Sequence, residues 1–259
     1  MILCFDIGNS HIFGGVFEGN EITLRFRYNS NQIGTSDQLG LFFLDVLKAN
    51  GIDPLSLQHI AICSVVPSLD YTFNAACVKY LKMKPFILQS GIKTGLKLSV
   101  KNPLEVGSDR IANGIAAIDQ FPDKNIIVID YGTATTHCAF SKDKEFLGGT
   151  IAPGIKISME ALSNNTAKLP TVEIVKPKET LGKTTITNIQ SGIYYCQLGA
   201  SKCIIENFTQ EVFDGEKPVV IGTGGFSHLF RDEHLFDAIS PDLVLFGLKI
   251  ALLTYYIQK

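Results

Sequence analysis

The sequence predicts a duplicated α/β fold, and three observations carry that reading. The first is the opening stretch Met1-Ile-Leu-Cys-Phe-Asp6-Ile-Gly8-Asn9-Ser10. An apolar run ends there in an aspartate, a glycine and two small polar residues, and apolar residues resume at Ile12-Phe13. A buried strand that delivers a carboxylate into a tight hairpin has this pattern. The second is an echo of it. Asn125-Ile-Ile-Val-Ile-Asp130-Tyr-Gly132-Thr133-Ala134-Thr135-Thr136 repeats the design nearly half of the 259-residue chain later. The third is the order of elements, which runs strand-strand-strand, helix, strand, helix in each half. Internal similarity at half-length points to two copies of one domain, with two phosphate-facing turns meeting in a cleft.

The elements follow from local pattern. After the first strand, residues 12–18 and 21–28 read as two more strands around a turn at Gly19-Asn20. Residues 36–50 form the clearest helix: Ser36 is placed to cap it, Leu39, Phe42, Phe43, Val46 and Leu47 share a face, and Gly51 follows its end. A buried strand over 59–66 stops at Pro67. A helix over 68–81, a strand over 85–88 and a helix opening at Val106-Gly-Ser-Asp-Arg110 complete the first half. In the second half, strands are expected over 126–130, 135–141 and 146–151, with helices over 154–162, 185–208 and 242–257. A strand over 219–223 ends in Gly224-Gly225 and precedes a further helix. The polar stretch 163–183, with two prolines, reads as loop.

Composition narrows the classes. A chain of 28.3 kDa with 46% hydrophobic and 19% charged residues is globular rather than disordered. The net charge of −2 gives no global basic field for nucleic acid, and Lys176, Lys178 and Lys183 read as a solvated loop. No apolar stretch reaches membrane-span length, and the N-terminal run stops at Asp6 without a basic flank. The six cysteines form no C-x-x-C pair, which fits buried free thiols in a reducing cytoplasm better than disulfides or zinc.

Three glycine turns stand at strand ends, at Gly8, Gly132 and Gly222-Thr223-Gly224-Gly225. Such turns aim backbone N–H groups at phosphate oxygens, and Asp6 is placed to orient a hydrated metal ion. Neither a Walker-A pattern nor G-x-G-x-x-G is present. Asp109 admits two readings. It is a favourable acid in the first turn of a helix, or a base beside a substrate hydroxyl with Arg110 ready for an anion. The helix dipole is expected to hold its pKa low, which phosphoryl transfer tolerates because the loose transition state asks for more positioning than proton abstraction. The five histidines form no ligand-spaced pair, and His11 and His137 read as surface or satisfied side chains.

Taken together, Asp6-Ile-Gly-Asn-Ser10, Gly107-Ser-Asp-Arg110, Asp130-Tyr-Gly-Thr-Ala134, Gly148-Gly-Thr-Ile-Ala-Pro-Gly154, Gln190-Ser-Gly192 and Thr223-Gly-Gly225 resemble the type III pantothenate kinases over essentially the whole length. That family lies in the acetate and sugar kinase/Hsp70/actin superfamily. The resemblance implies an α/β fold of two ribonuclease-H-like (actin-like ATPase) domains, 1–122 and 123–259, flanking a central cleft. It implies ATP-dependent phosphorylation of pantothenate to 4'-phosphopantothenate, the first step of coenzyme A biosynthesis.

The resemblance also implies roles residue by residue. ATP is expected at Asp6, Ile7, Gly8, Asn9, Ser10, His11, Ile12, Phe13 and Thr133. Pantothenate is expected at Gly107, Ser108, Asp109 and Arg110, with Asp109 as the proton acceptor. Asp130 would hold a monovalent cation, K+ or NH4+, and a divalent metal (Mg2+) would accompany ATP near Asp6. Thr185 would close the pantothenate pocket of a homodimer partner. No nucleic acid or membrane partner is implied, and the location is cytoplasmic. The chain departs from the family's pattern at Ser10 (usually Thr), Ser108 (usually Ala) and Val100 (commonly a pantothenate-contacting Tyr). Another small-molecule kinase of the superfamily and a non-enzymatic regulatory protein are the alternative readings. Retained Asp6, Asp109 and Asp130 speak against the second.

Overall fold

The computed structural model describes residues 1–257. Its described residues separate into two compact units, one of residues 1–96, 101–116 and 243–257, the other of residues 97–100 and 117–242. In the first unit, β1 (Ile2–Ile7), β2 (His11–Glu18) and β3 (Glu21–Asn29) form an antiparallel meander. Strands β4 (His59–Ser64) and β5 (Phe86–Leu88) extend it in parallel on the other side of β1, giving the order β3-β2-β1-β4-β5.

One face of this sheet is covered by α1 (Ser36–Ala49) and α2 (Pro67–Tyr80). Phe5 is the centre of that layer, with its ring 4.7 Å from Phe43 and 5.6 Å from Phe73. Edge and tilted ring contacts of this kind add to the area buried. The start of α1 corrects the expected cap. Thr35, not Ser36, stands at N-cap, and its hydroxyl accepts from the Gln38 N–H while the Gln38 side chain accepts from the Thr35 N–H. Both orphan donors are satisfied by this reciprocal pair, which a cap at Ser36 could not offer. Pro67 stops β4 and serves as the first residue of α2, where its missing N–H costs nothing.

The other face carries the last helix, α6 (Leu243–Ile257), against which α3 (Ser108–Gln120) packs. Gly15 and Gly247 permit the approach: a Cβ at Gly15 would strike Leu245, and one at Gly247 would run into the Ala112 carbonyl. Lys249 on α6 is buried, yet its ammonium donates to the Gly19 carbonyl at 2.6 Å and to Asn20 Oδ1 at 2.8 Å. A buried cation needs such partners, and here they tie α6 to the β2–β3 turn.

The second unit repeats the plan. Strands β7 (Ile126–Tyr131), β8 (Ala134–Phe140) and β9 (Glu145–Pro153) form the antiparallel meander, and β10 (Val219–Thr223) and β11 (Ala238–Ile239) continue from β7 in parallel. A short β6 (Lys97–Leu98) adds to the far edge beside β9. Apart from β6, the order β9-β8-β7-β10-β11 and its strand directions match β3-β2-β1-β4-β5 of the first sheet, and the fold is a duplicated ribonuclease-H-like α/β fold. Helices α4 (Ile155–Asn164) and α5 (Thr185–Glu211) pack on this sheet through Ile155, Met159, Ile189, Ile193 and Leu198.

Several details differ from the sequence reading. Gly224-Gly225 leads into a seven-residue 3-10 helix, Ser227–Glu233, rather than an α-helix. On α5, Ile189 and Ile193 are buried, but Ile186, Cys196, Ala200 and Cys203 are exposed, so its apolar positions do not all serve the core. Of the six cysteines, Cys196 and Cys203 are accordingly exposed and the other four buried, all as free thiols. No helix among the described residues is long and apolar enough to cross a membrane.

Candidate active site

In the first unit, the chain turns between β1 and β2 over Gly8, Asn9 and Ser10, closed by the Gly8 N–H donating to the His11 carbonyl at 3.1 Å. The 3-10 turn after β3 braces it from outside. The Ser30 hydroxyl donates to the Gly8 carbonyl at 2.6 Å, and the Ser30 N–H donates to the Ser10 carbonyl at 3.1 Å. Asn9 and His11 are exposed, Asp6, Gly8 and Ser10 are half-buried, and Ile7, Ile12 and Phe13 are buried. The hairpin is thus a held backbone turn with its carboxylate at the edge of solvent.

Register places Asp6 in a row of cross-strand partners. Arg27 pairs with Phe13, Phe13 with Asp6, and Asp6 with Cys63. The Cys63 thiol donates to Asp6 Oδ1 at 3.3 Å. Burial first, and then the charges of Asp6 and Asp109, push that thiol far above its usual range. It therefore stays protonated and acts as a donor.

Asp109 sits in the first turn of α3. Ser108 anchors that turn to the end of β4 by a two-way pair: its hydroxyl donates to the Ser64 carbonyl at 2.9 Å and accepts from the Ser64 N–H at 3.0 Å. The Asp109 carboxylate accepts from the Arg110 N–H at 2.7 Å. Gly107 leaves room for it, since a Cβ there would collide with Oδ1. The expectation that the dipole keeps this carboxyl acidic is overturned. Burial raises its pKa and outweighs the opposing backbone hydrogen bond to Arg110 and that residue's charge. A desolvated carboxylate is a better proton acceptor than the helix start alone implies.

In the second unit, two glycine turns come together. Asp130 on β7 is the register partner of Thr223 on β10. Gly224, at φ +83°, lies so close that a Cβ would collide with Asp130 Oδ1 and the Tyr131 backbone. Only glycine adopts this left-handed conformation while leaving such space. On the other side, a Cβ at Gly132 would stand 3.3 Å from Asp130 Oδ1, and one at Gly154 would meet the Gly132 and Thr133 carbonyls. Asp130 Oδ1 therefore lies against Gly132 and Gly224, where no side chain intervenes, and a carboxylate oxygen in such a place can serve as a ligand to a hard cation. Thr133 is exposed at the turn.

Behind this turn lies a buried polar network. His137 faces Thr150 Oγ1 and Ser201 Oγ, each at 3.0 Å, and Ser201 meets the Tyr131 hydroxyl at 2.7 Å. Burial pushes the His137 pKa down to about 4, so the imidazole is neutral and structural. Thr185, by contrast, is exposed as the first residue of α5, between the reciprocal capping partners Thr184 and Thr187.

The family profile described as type III pantothenate kinase matches residues 2–207. The chain belongs to the type III pantothenate kinase family. A type III pantothenate kinase of Legionella pneumophila (strain Corby) is 55% identical, over 97% of this chain and 98% of its own length. Type III pantothenate kinase 1 of Francisella tularensis subsp. holarctica (strain OSU18) is 53% identical, over 96% and 98%. Among solved structures, a conserved Campylobacter jejuni protein assigned to the Baf family of transcriptional activators superposes with a TM-score of 0.61 at 19% identity. It covers 96% of each chain and supports the fold alone. As a pantothenate kinase, the chain catalyses ATP-dependent phosphorylation of pantothenate in coenzyme A biosynthesis.

A kinase of this family uses ATP with a divalent metal. Among the described residues, no group of three or more His, Cys, Asp or Glu side chains gathers to hold a metal ion. A half-buried carboxylate at a glycine turn, as Asp6 is, fits an ion such as Mg2+, which keeps its waters and takes most other ligands from phosphates. Ser30, Cys63 and Ser64 support the first unit's turn and helix start without any signal in their local sequence. Their parts arise from pairings between residues far apart in the chain.

Proposed function

We propose that Asp109 is the proton acceptor for the pantothenate hydroxyl, and that Gly107, Ser108 and Arg110 bind the substrate around it. The observation that carries this reading is the two-way Ser108–Ser64 pair, which holds the first turn of α3 at the end of β4 next to Cys63 and its partner Asp6, with the Asp109 pKa raised by burial. The Asp6–Phe13 hairpin binds the ATP phosphates through its N–H groups, and Asp6 orients the hydrated Mg2+. The ion supplies charge neutralisation at the phosphates. Arg110 offers a fixed cation for the substrate carboxylate, and Asp109 orients the attacking hydroxyl and takes its proton.

In the second unit we assign Thr133 to ATP and Asp130 to a monovalent cation. The two glycines against Oδ1 support the second assignment. A homodimer is supported by the uncovered face of α5, where Ile186, Gly192, Tyr195, Cys196, Gly199, Ala200 and Cys203 are exposed. Thr185 lies on the same helix as Gln197, which accepts from Thr135 at 3.0 Å, but roughly 18 Å along it. Thr185 is exposed on that same helix, which favours its serving the partner's pantothenate pocket. The free thiols fit a reducing cytoplasm.

The test is an assay of purified protein with MgATP against pantothenate and a panel of sugars, in sodium, Tris, potassium and ammonium buffers. Phosphorylation of pantothenate, dependent on potassium or ammonium, is expected. Preference for a sugar would overturn the substrate assignment, and equal rates in all four buffers would remove the role of Asp130.

A further inference from the structure

We propose that Arg27 is a further ATP-binding residue, contacting the terminal phosphates from the third strand of the sheet. The inference rests on the assignment of those phosphates to the Asp6–Phe13 hairpin. Two independent features lead to it. Register puts Arg27, Phe13 and Asp6 in one cross-strand row, so their side chains emerge on the same face of the sheet. Neighbouring strands lie about 4.8 Å apart, so the Arg27 backbone stands about 10 Å from that of Asp6, within reach of a long side chain.

The second feature is where the charge sits. The guanidinium carbon lies 4.3 Å from the centroid of the Phe13 ring, which is the intervening residue of the row. The stacking therefore draws the cation inward, toward the turn that carries Asp6, instead of letting it trail into solvent. Arg27 itself is exposed, and no carboxylate among the described residues forms an ion pair with it. It keeps planar, fork-shaped donors for an anion, the geometry that suits phosphate oxygens. Asp6 alone places a negative charge beside a polyanion. A cation one strand further along the row offsets that repulsion even before a metal is counted.

Arg25 supplies the control. It lies two residues earlier on the same strand, pairs with Gly15 and is exposed. It therefore shares the face and the charge of Arg27 but is one step further from the turn. Steady-state kinetics should be compared for wild type, Arg27→Ala, Arg27→Lys and Arg25→Ala, with thermal unfolding of each. Arg27→Ala should raise KM for MgATP about tenfold, the loss expected for a charge-assisted hydrogen bond, with kcat and the KM for pantothenate nearly unchanged. Arg27→Lys should recover only part of that loss, since it keeps the charge but not the planar fork, and Arg25→Ala should behave as wild type. Calorimetry should show AMP affinity unaltered in Arg27→Ala, because AMP lacks the terminal phosphates. An unchanged KM for MgATP in Arg27→Ala, an equal effect in Arg25→Ala, or a fall in thermal stability with both KM values moving together would overturn the proposal. Failure of the wild type to phosphorylate pantothenate with ATP would instead overturn the reading on which it rests.

Discussion

The Cys63 thiol and the Asp6 carboxylate are register partners on β4 and β1, joined by an S–H···O bond of 3.3 Å. The bond holds one oxygen of the carboxylate beside the Gly8–Ser10 turn, to which the ATP phosphates are assigned. Cys63→Ser keeps a donor and should retain most of the activity. Cys63→Ala gives up little volume but leaves Asp6 without that donor, and should lower kcat/KM for MgATP by roughly 5- to 20-fold, in line with one lost hydrogen bond to a charged group. Steady-state kinetics at several magnesium concentrations would check this. Equal activity of the two variants would mean that Asp6 is oriented by other groups.

Burial raises the Asp109 carboxyl above its ordinary value of 3.8. Two consequences follow from the sign of that shift. Turnover should fall as pH drops through the raised value, so the acid limb of kcat/KM lies above the ordinary aspartate range. The folded state also holds this proton more tightly than the unfolded chain, so ionised Asp109 costs stability at neutral pH and the cost vanishes below 3.8. Asp109→Asn should consequently unfold at a slightly higher temperature than wild type at pH 8, with the difference shrinking as pH falls. Melting curves between pH 8 and pH 4 measure it. An Asn variant less stable than wild type at pH 8 would contradict the buried-charge argument.

Mixed dimers test the composite site. One protomer carries Asp109→Asn and the other Thr185→Arg, chosen to block the pocket, and each homodimer should be inactive. If Thr185 completes the partner's pocket, one site of the heterodimer gathers both defects and the other gathers none. Activity should then return to about half of normal per dimer, since defects on separate chains segregate. A heterodimer as inactive as its parents would show that each protomer is self-contained.

Much of this architecture is legible in the sequence because it is local. The hairpins at Gly8 and Gly132 follow from strand, carboxylate, glycine and hydroxyl in succession, and α1 follows from one apolar stripe and Gly51. What is not legible depends on distance. The row Arg27–Phe13–Asp6–Cys63 exists only once β4 has chosen its register against β1. The two-residue strands β6 and β11 are too short for any period to appear. Helix α6 is apolar on nearly all sides, with Leu243, Val244, Leu245, Leu248 and Leu252 all buried, so no stripe announces that it returns to the first sheet. The direction of the Asp109 shift was hidden for a related reason. A helix start is visible in sequence, whereas burial of the carboxyl arises only once the fold has closed around it.

The most direct test of the central claim is the turnover of Asp109→Asn with pantothenate and MgATP in potassium buffer. Asn keeps the acceptor for the Arg110 N–H and is tolerated at helix starts, so the variant should fold and bind both substrates. If Asp109 orients the hydroxyl and accepts its proton, kcat should fall by roughly 10²–10⁴-fold with little change in either KM. Near-normal turnover in the folded variant would contradict the account and leave Asp109 as a helix-start acid.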